Sequence, residues 1–271
     1  MMRMLERSMR PATMLAAVGA TLIGLSIGST GWSAERHETW NWSGTLAAGR
    51  TLEINGVNGA IVAEPASGDQ IEVVAEKSSR KSDPAQVRIK VNQDSDGVTI
   101  CAIYPGSGSP CESFHLGMGS RSNDVTVDFH VKVPAGVKFS ANTVNGSIRA
   151  RGLTGALRAR TVNGECEIST AGPGEASTVN GSVHAEIGRF EAHDDLRFKT
   201  VNGSITLALP VTFDADLEGS TVNGEIDANF PVTVTGRWGP RHMNATLGRG
   251  GPKLSASTVN GSIHLARAGA R

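Results

Sequence analysis

The chain has 271 residues, with 26 basic and 26 acidic side chains and a pI near 7.1, a balance without the electrostatic footprint of a nucleic-acid binder. Aromatics are only 4% and glycines number 33, so a core filled mainly by large rings is excluded. At 39% hydrophobic and 19% charged, the chain lies on the folded side of the boundary with disorder.

Residues 1–34 read as a secretory signal peptide. Arg3, Arg7 and Arg10 precede an apolar run from Met14 to Ile27, and small residues follow up to Ala34. The run is short for a membrane span, which needs about 20 apolar residues. A cut after Ala34 puts Trp32 where a small residue normally stands, and an uncleaved N-terminal anchor is the alternative. No cysteine closely follows the run, which excludes a lipoprotein anchor. The cut would remove three bases and one acid, leaving a net charge of −2. No hydrophobic tail stands at 266–271.

Residues 35–134 read as a strand-rich N-terminal part. Trp40 and Trp42 sit two apart on one face of the first strand. They would form a hydrophobic plug over one end of the fold, in preference to an aromatic platform for a sugar or partner. A first VNG copy stands at 57–59. Ile71–Val74, Val87–Val91, Val98–Ile100 and Val125–Val133 mostly alternate and predict further strands. This part is expected to cap the repeats that follow, because an open end exposes unpaired strand edges. Between these strands, 104–124 is a loop rich in glycine and serine. Cys101 and Cys111 bracket AIYPGSGSP. In an oxidising compartment they would close that turn as a disulfide.

Residues 135–268 carry the main signal. TVNG occurs six times, at Thr143, Thr161, Thr178, Thr200, Thr221 and Thr258. A period near 20 residues marks a repeat architecture. The last step, 37 residues, is about two periods, and Met243-Asn244-Ala245-Thr246-Leu247 reads as a degraded copy inside it. The columns after each glycine alternate polar and apolar, with Ile148, Cys166, Val183, Ile205, Ile226 and Ile263 in the first apolar column. The columns before each threonine alternate too. Each copy is therefore two half-buried strands joined at VNG. Cys166 fills an isoleucine column and reads as a buried small hydrophobe. Residues 269–271 are a tail.

The predicted repeat turns are Asn58-Gly59, Asn145-Gly146, Asn163-Gly164, Asn180-Gly181, Asn202-Gly203, Asn223-Gly224 and Asn260-Gly261. Asn-Gly supplies the positive φ that a tight turn needs. Such turns fit either an antiparallel meander or a corner of a β-solenoid. The solenoid is preferred, because identical residues once per turn stack about 4.8 Å apart and would form an asparagine ladder. The fold class is thus all-β: a β-solenoid of about 20-residue, two-strand rungs with an N-terminal cap.

Val131-Lys132-Val133-Pro134-Ala135-Gly136-Val137, followed by a strand and TVNGSI, resembles the bacterial "putative adhesin" repeat domains, a family of unknown function. The resemblance spans about residues 50–268. It implies an exported or membrane-linked solenoid-like domain of a bacterial envelope, and it brings no defined site.

No nucleophile motif, phosphate loop or HExxH is present. Glu167 and His184 would be neighbours in a stack, but zinc needs three or four ligands, so a solvated ladder is the better reading. His193-Asp194-Asp195 reads as an exposed acidic turn rather than a calcium site. Asp214, Asp216 and Glu218 alternate on one strand and are the nearest approach to a catalytic carboxylate set. No catalytic residue, metal or cofactor is assigned. The expected function is an exported, non-catalytic cell-envelope protein, periplasmic or on the surface, used for binding, adhesion or scaffolding. Its expected partner is an envelope protein, a glycan or a second copy through sheet edges. A carbohydrate-active solenoid enzyme, lyase or hydrolase, is the alternative, and an envelope-stress accessory is a third possibility.

Overall fold

Alternation of buried and exposed side chains runs through nearly every strand, and it places one face of each strand against a shared slot. The computed structural model describes residues 35–106, 111, 123–188, 196–235 and 240–267. These belong to the second of two units, Ser33–Arg271. The signal-peptide reading falls on 1–34, outside the described residues.

Among the described residues, twenty-one strands form two sheets. The N-terminal strands are β1 (Arg36–Thr45), β2 (Thr51–Asn55), β3 (Ile61–Pro65), β4 (Gln70–Ser79), β5 (Arg88–Gln93), β6 (Gly97–Ile103) and β7 (Thr126–Val133). The repeats begin with β8 (Lys138–Asn142), β9 (Ile148–Leu153), β10 (Leu157–Arg160), β11 (Cys166–Thr170), β12 (Gly174–Ser177) and β13 (Val183–Ile187). They continue as β14 (Leu196–Lys199), β15 (Ile205–Leu209), β16 (Ala215–Thr221) and β17 (Ile226–Ala228). Last come β18 (Thr233–Thr235), β19 (Arg241–Leu247), β20 (Lys253–Ser257) and β21 (Ile263–Arg267). One 3₁₀ turn, Pro84–Gln86, links β4 to β5.

The ten-stranded sheet runs β1-β4-β7-β3-β9-β11-β13-β15-β21-β17. The eleven-stranded sheet runs β18-β19-β16-β20-β14-β12-β10-β8-β2-β6-β5. The two strands of one copy lie in different sheets, and equivalent strands of neighbouring copies pair in parallel. Ile148, Cys166, Val183, Ile205, Ile263 and Ile226 therefore sit side by side in register. A meander would have paired the two strands of each copy with each other.

Three features depart from the expected order. First, the copy at Thr258 does not stack beyond the copy at Thr221. β20 and β21 lie between the pair β14, β15 and the pair β16, β17. Second, Met243–Leu247 is no degraded turn. It lies in β19, antiparallel to β16, with Asn244 opposite Glu218. The 37-residue step is thus an excursion that covers the edge of one sheet. Third, β6 and β7 pair in parallel with β2 and β3, like a further copy without VNG. Among the described residues, β1, β4 and β5, which pair antiparallel, lie beyond them at this end.

The core is one continuous cluster between the sheets. Most of its members are Ile, Leu, Val and Ala, yet Phe129, Phe139 and Phe198 are fully buried. Phe129 and Phe198 fit where small residues lie beside them, and Phe129 adjoins Ala75. Phe198 adjoins Ala176 and Ala256. Gly174 and Gly219, which break their columns, are filled from elsewhere: a side chain at Gly174 would collide with Ile187, and one at Gly219 would press on Met243. A buried Ile or Leu contributes about 2 kcal/mol, against about 1 kcal/mol for a hydrogen bond. Slot filling therefore carries the fold, while the corners set its register.

Candidate functional site

The repeated corner assigns each letter of TVNG a separate task. The threonines are buried, and each hydroxyl donates to the glycine carbonyl of the adjacent copy. Thr161 reaches Gly146 at 2.8 Å, Thr178 reaches Gly164 at 2.9 Å and Thr258 reaches Gly203 at 2.9 Å. The asparagine side chains form an exposed line. Asn145 Nδ2 donates to Asn58 Oδ1, Asn163 to Asn145, Asn180 to Asn163 and Asn202 to Asn180, all at 2.7–2.8 Å. Asn260 then donates to Asn202, and Asn223 to Asn260. Every amide points the same way, so the bonds polarise one another.

Glycine is required by close approach rather than by a tight-turn φ. A β-carbon at Gly146 would strike the carbonyl oxygen of Gly59. One at Gly164 would strike Gly146, one at Gly181 would strike Gly164, and one at Gly203 would strike Gly181. Gly261 stands likewise on Gly203, and Gly224 on Gly261. Gly59 is packed on Val127, at the start of the second strand of the copy that lacks VNG. Of the corner valines, Val179, Val222 and Val259 are about 40% exposed, while Val57 packs against the core.

In the copy without VNG, other contacts close the corner. Cys101 is joined to Cys111 by a disulfide. The Tyr104 hydroxyl lies 3.2 Å from the Asn58 carbonyl and 3.0 Å from that of Val125, and burial lifts its pKa well above the ordinary tyrosine value. Asp124 accepts the backbone N–H groups of Arg80, Lys81 and Ser82 at 2.8–3.1 Å. These bonds, with the Ser82 contacts the strongest, hold its carboxyl far below the usual range. Neither Tyr104 nor Asp124 stood out in the sequence, because nothing local marks a residue whose partners are 21 to 46 positions away. The repeated threonine did carry a signal: a hydroxyl kept at a buried position where valine would fit implies a bond.

The candidate ligand sets are occupied or lie apart. Glu167 faces His184 across the strand pair. Burial raises the Glu167 pKa, but Arg151 and Arg149 together outweigh it and lower the carboxyl below its ordinary value. His184 stands 3.2 Å from Glu165 instead. Among the described residues no three His, Cys, Asp or Glu side chains gather as a metal site. His193-Asp194-Asp195 lies outside the described residues. Asp214 accepts the backbone N–H and the guanidinium of Arg249, both at 2.9 Å, which lowers its carboxyl pKa. Asp216 accepts from Thr246 and the Gly251 N–H, and Lys253 holds Glu218 at 2.6 Å and lowers it. Glycosidic chemistry needs a carboxyl raised enough to donate a proton; Asp214 and Glu218 move the other way.

A groove of about 940 Å³ follows the strand ends away from the asparagine corner, between Leu153, Thr170, Ile187, Phe213 and Pro252. The Asp214–Arg249 pair lies in its wall. At the edge of the ten-stranded sheet, Trp40 and Trp42 pack partly buried against the core. Trp42 lies over Gly44, where a β-carbon would strike its ring. Cys166 is fully buried, and burial first, with Glu165 second, pushes its thiol up to about 12.

No helix among the described residues is long and apolar enough to cross a membrane. No protein-family model matches the sequence, and no curated protein matches it. Solved structures are similar at low identity. A "putative cell adhesion protein" from Clostridium sporogenes is 13% identical, covering 85% of this chain and 100% of its own, with a TM-score of 0.47. A "putative adhesin" from Bacteroides fragilis is 9% identical, covering 85% and 97%, with a TM-score of 0.38.

Proposed function

We propose that the chain is an exported, non-catalytic protein of the cell envelope, whose repeat β domain serves binding, adhesion or scaffolding. We read the two sheets as the faces of a β-solenoid with rungs of two strands, capped by the N-terminal strands, and 1–34 as a signal peptide that is removed. The observation that carries the reading is the unbroken asparagine line from Asn58 to Asn223. A surface repeated in register offers one set of groups many times, which suits a repetitive partner held by avidity. The tied carboxylates Asp214 and Glu218 support the non-catalytic part. The Cys101–Cys111 bond supports an oxidising compartment. The partner is an envelope protein, a glycan or a second copy.

The test is protease digestion of tagged protein on intact cells, with a lysed control and the mass of the recovered chain. Loss of 1–34 is expected, with digestion on intact cells for a surface protein or only after lysis for a periplasmic one. Full-length protein retained in the cytoplasm would overturn the reading.

A further inference from the structure

The eleven-stranded sheet turns a concentration of positive charge to solvent. The alternation that buries Leu157, Ala159, Leu196 and Phe198 exposes Arg158, Arg160, Arg197 and Lys199. The first two stand on β10 and the last two on β14. Between them, β12 offers only Glu175 and Ser177. Four cations and one carboxylate thus share three strands, a width of about 10 Å. Glu175 is engaged by Arg158 at 2.8 Å and by Arg160 at 3.9 Å. Arg197 and Lys199 have no ion pair among the described residues. Neither supports the fold, since each extends into solvent from a strand held by its buried face.

Two further observations define the chemistry. A depression of about 430 Å³ opens on this sheet, walled by Lys138, Arg158, Glu53 and Glu175, with buried Phe139 and Leu157 beneath. Hydroxyls flank the cations in register: Ser140 beside Arg158, Ser255 beside Arg197 and Ser257 beside Lys199.

We propose that this face binds a linear polysaccharide bearing carboxylates, a polyuronate; this deepens the binding reading above and rests on it. Guanidinium groups pair with carboxylates through two parallel bonds. Glu53, Glu175 and the serines match sugar hydroxyls, and an extended repeating chain matches a flat repeating sheet. A lipid surface would call for outward apolar anchors, and the outward residues of β8, β10, β12, β14 and β20 include none. Single-stranded nucleic acid would call for aromatic platforms, and these strands turn no ring outward. The chain's formal charges balance, 26 bases against 26 acids, so the patch is a local feature whose attraction should fade quickly with salt.

The test is affinity electrophoresis of the purified protein in native gels containing polygalacturonate, with dextran gels as control. The comparison is the double variant Arg197→Glu, Lys199→Glu, whose fold is checked by circular dichroism. Retardation by polygalacturonate and not by dextran is expected. The variant should weaken it by about ten-fold or more, and about 0.5 M salt should abolish it. No retardation, or retardation that survives the charge reversal, would overturn the proposal. So would equally tight binding of a labelled oligodeoxynucleotide, which would make the face a general polyanion surface. Recovery of uncut full-length protein from the cytoplasm in the protease test would sink the envelope reading alone and leave the gel result standing.

Discussion

Asn260 donates its side-chain amide to Asn202 at 2.7 Å across 58 residues of sequence, while Asn223, nearer to Asn202 in the chain, lies one place further out and donates to Asn260. The last copy is therefore inserted between two earlier ones. β16 and β17 pair with the C-terminal strands β20 and β21 rather than with β14 and β15. The ladder records this order, and each of its members bonds on both sides except at the ends.

Asn180 sits in the middle of the line, accepting from Asn202 and donating to Asn163. Asn180→Ala should cost about 1 kcal/mol, since water replaces part of what is lost at an exposed corner. Asn180→Asp should cost more at neutral pH than at pH 3. Its carboxylate cannot donate to Asn163 Oδ1 and places charge against it, whereas the protonated form restores a donor. Denaturant melts of both variants at the two pH values check this. Equal losses for Asp at both would refute the directional ladder.

Glycine at the corner is argued from sterics, so the size of the effect should depend on position. Gly181→Ala drives a methyl group into the Gly164 carbonyl and should cost at least about 2 kcal/mol. Gly68→Ala meets nothing within 4 Å and should stay within about 0.5 kcal/mol of the parent. Thermal unfolding of the pair is the measurement. A mild Gly181 variant would mean that neighbouring copies can separate without loss.

Much of this architecture was legible because strand alternation is local. Ile148 with Ala150, and Ile205 with Leu207, announce their inward faces in the sequence, and the Asn-Gly steps announce a corner. The order of stacking was not legible. Ile263 fits beside Ile205 or Ile226 equally well, so no column records that the last copy enters between them. The pairing of β6 and β7 with β2 and β3 was hidden for a different reason: their corner is closed by Tyr104, Asp124 and the Cys101–Cys111 bond, none of which resembles VNG. The cationic face was hidden by the balance of the whole, since 26 bases against 26 acids says nothing of where Arg197 and Lys199 fall.

The three cysteines should separate cleanly in a thiol titration. Cys101 and Cys111 are bonded, and Cys166 is fully buried with its thiol pushed up to about 12. Native oxidised protein should therefore show no maleimide-reactive thiol. Unfolding should release one, and unfolding with reductant three. Replacing Cys101 and Cys111 by serine should cost about 2–3 kcal/mol under the chain-entropy model for a short loop. Rapid labelling of native Cys166 would refute its place in the slot.

Asp124 should give the fold a measurable acid limb. Its carboxylate accepts the N–H groups of Arg80, Lys81 and Ser82, which lowers its folded-state pKa far below the ordinary aspartate value. A depressed folded pKa means that the contribution is fully present above the unfolded value, about 3.9, and is lost as pH falls below it toward the folded value. Asp124→Asn should therefore destabilise the protein at pH 7, because an amide offers one acceptor oxygen where the carboxylate offers two. The gap between variant and parent should narrow steadily below about pH 4. Denaturant midpoints from pH 7 down to pH 2 measure it. A gap that stays constant over that range would mean that charge has no part in the anchor, and that shape alone ties the segment just before β7 to the turn after β4.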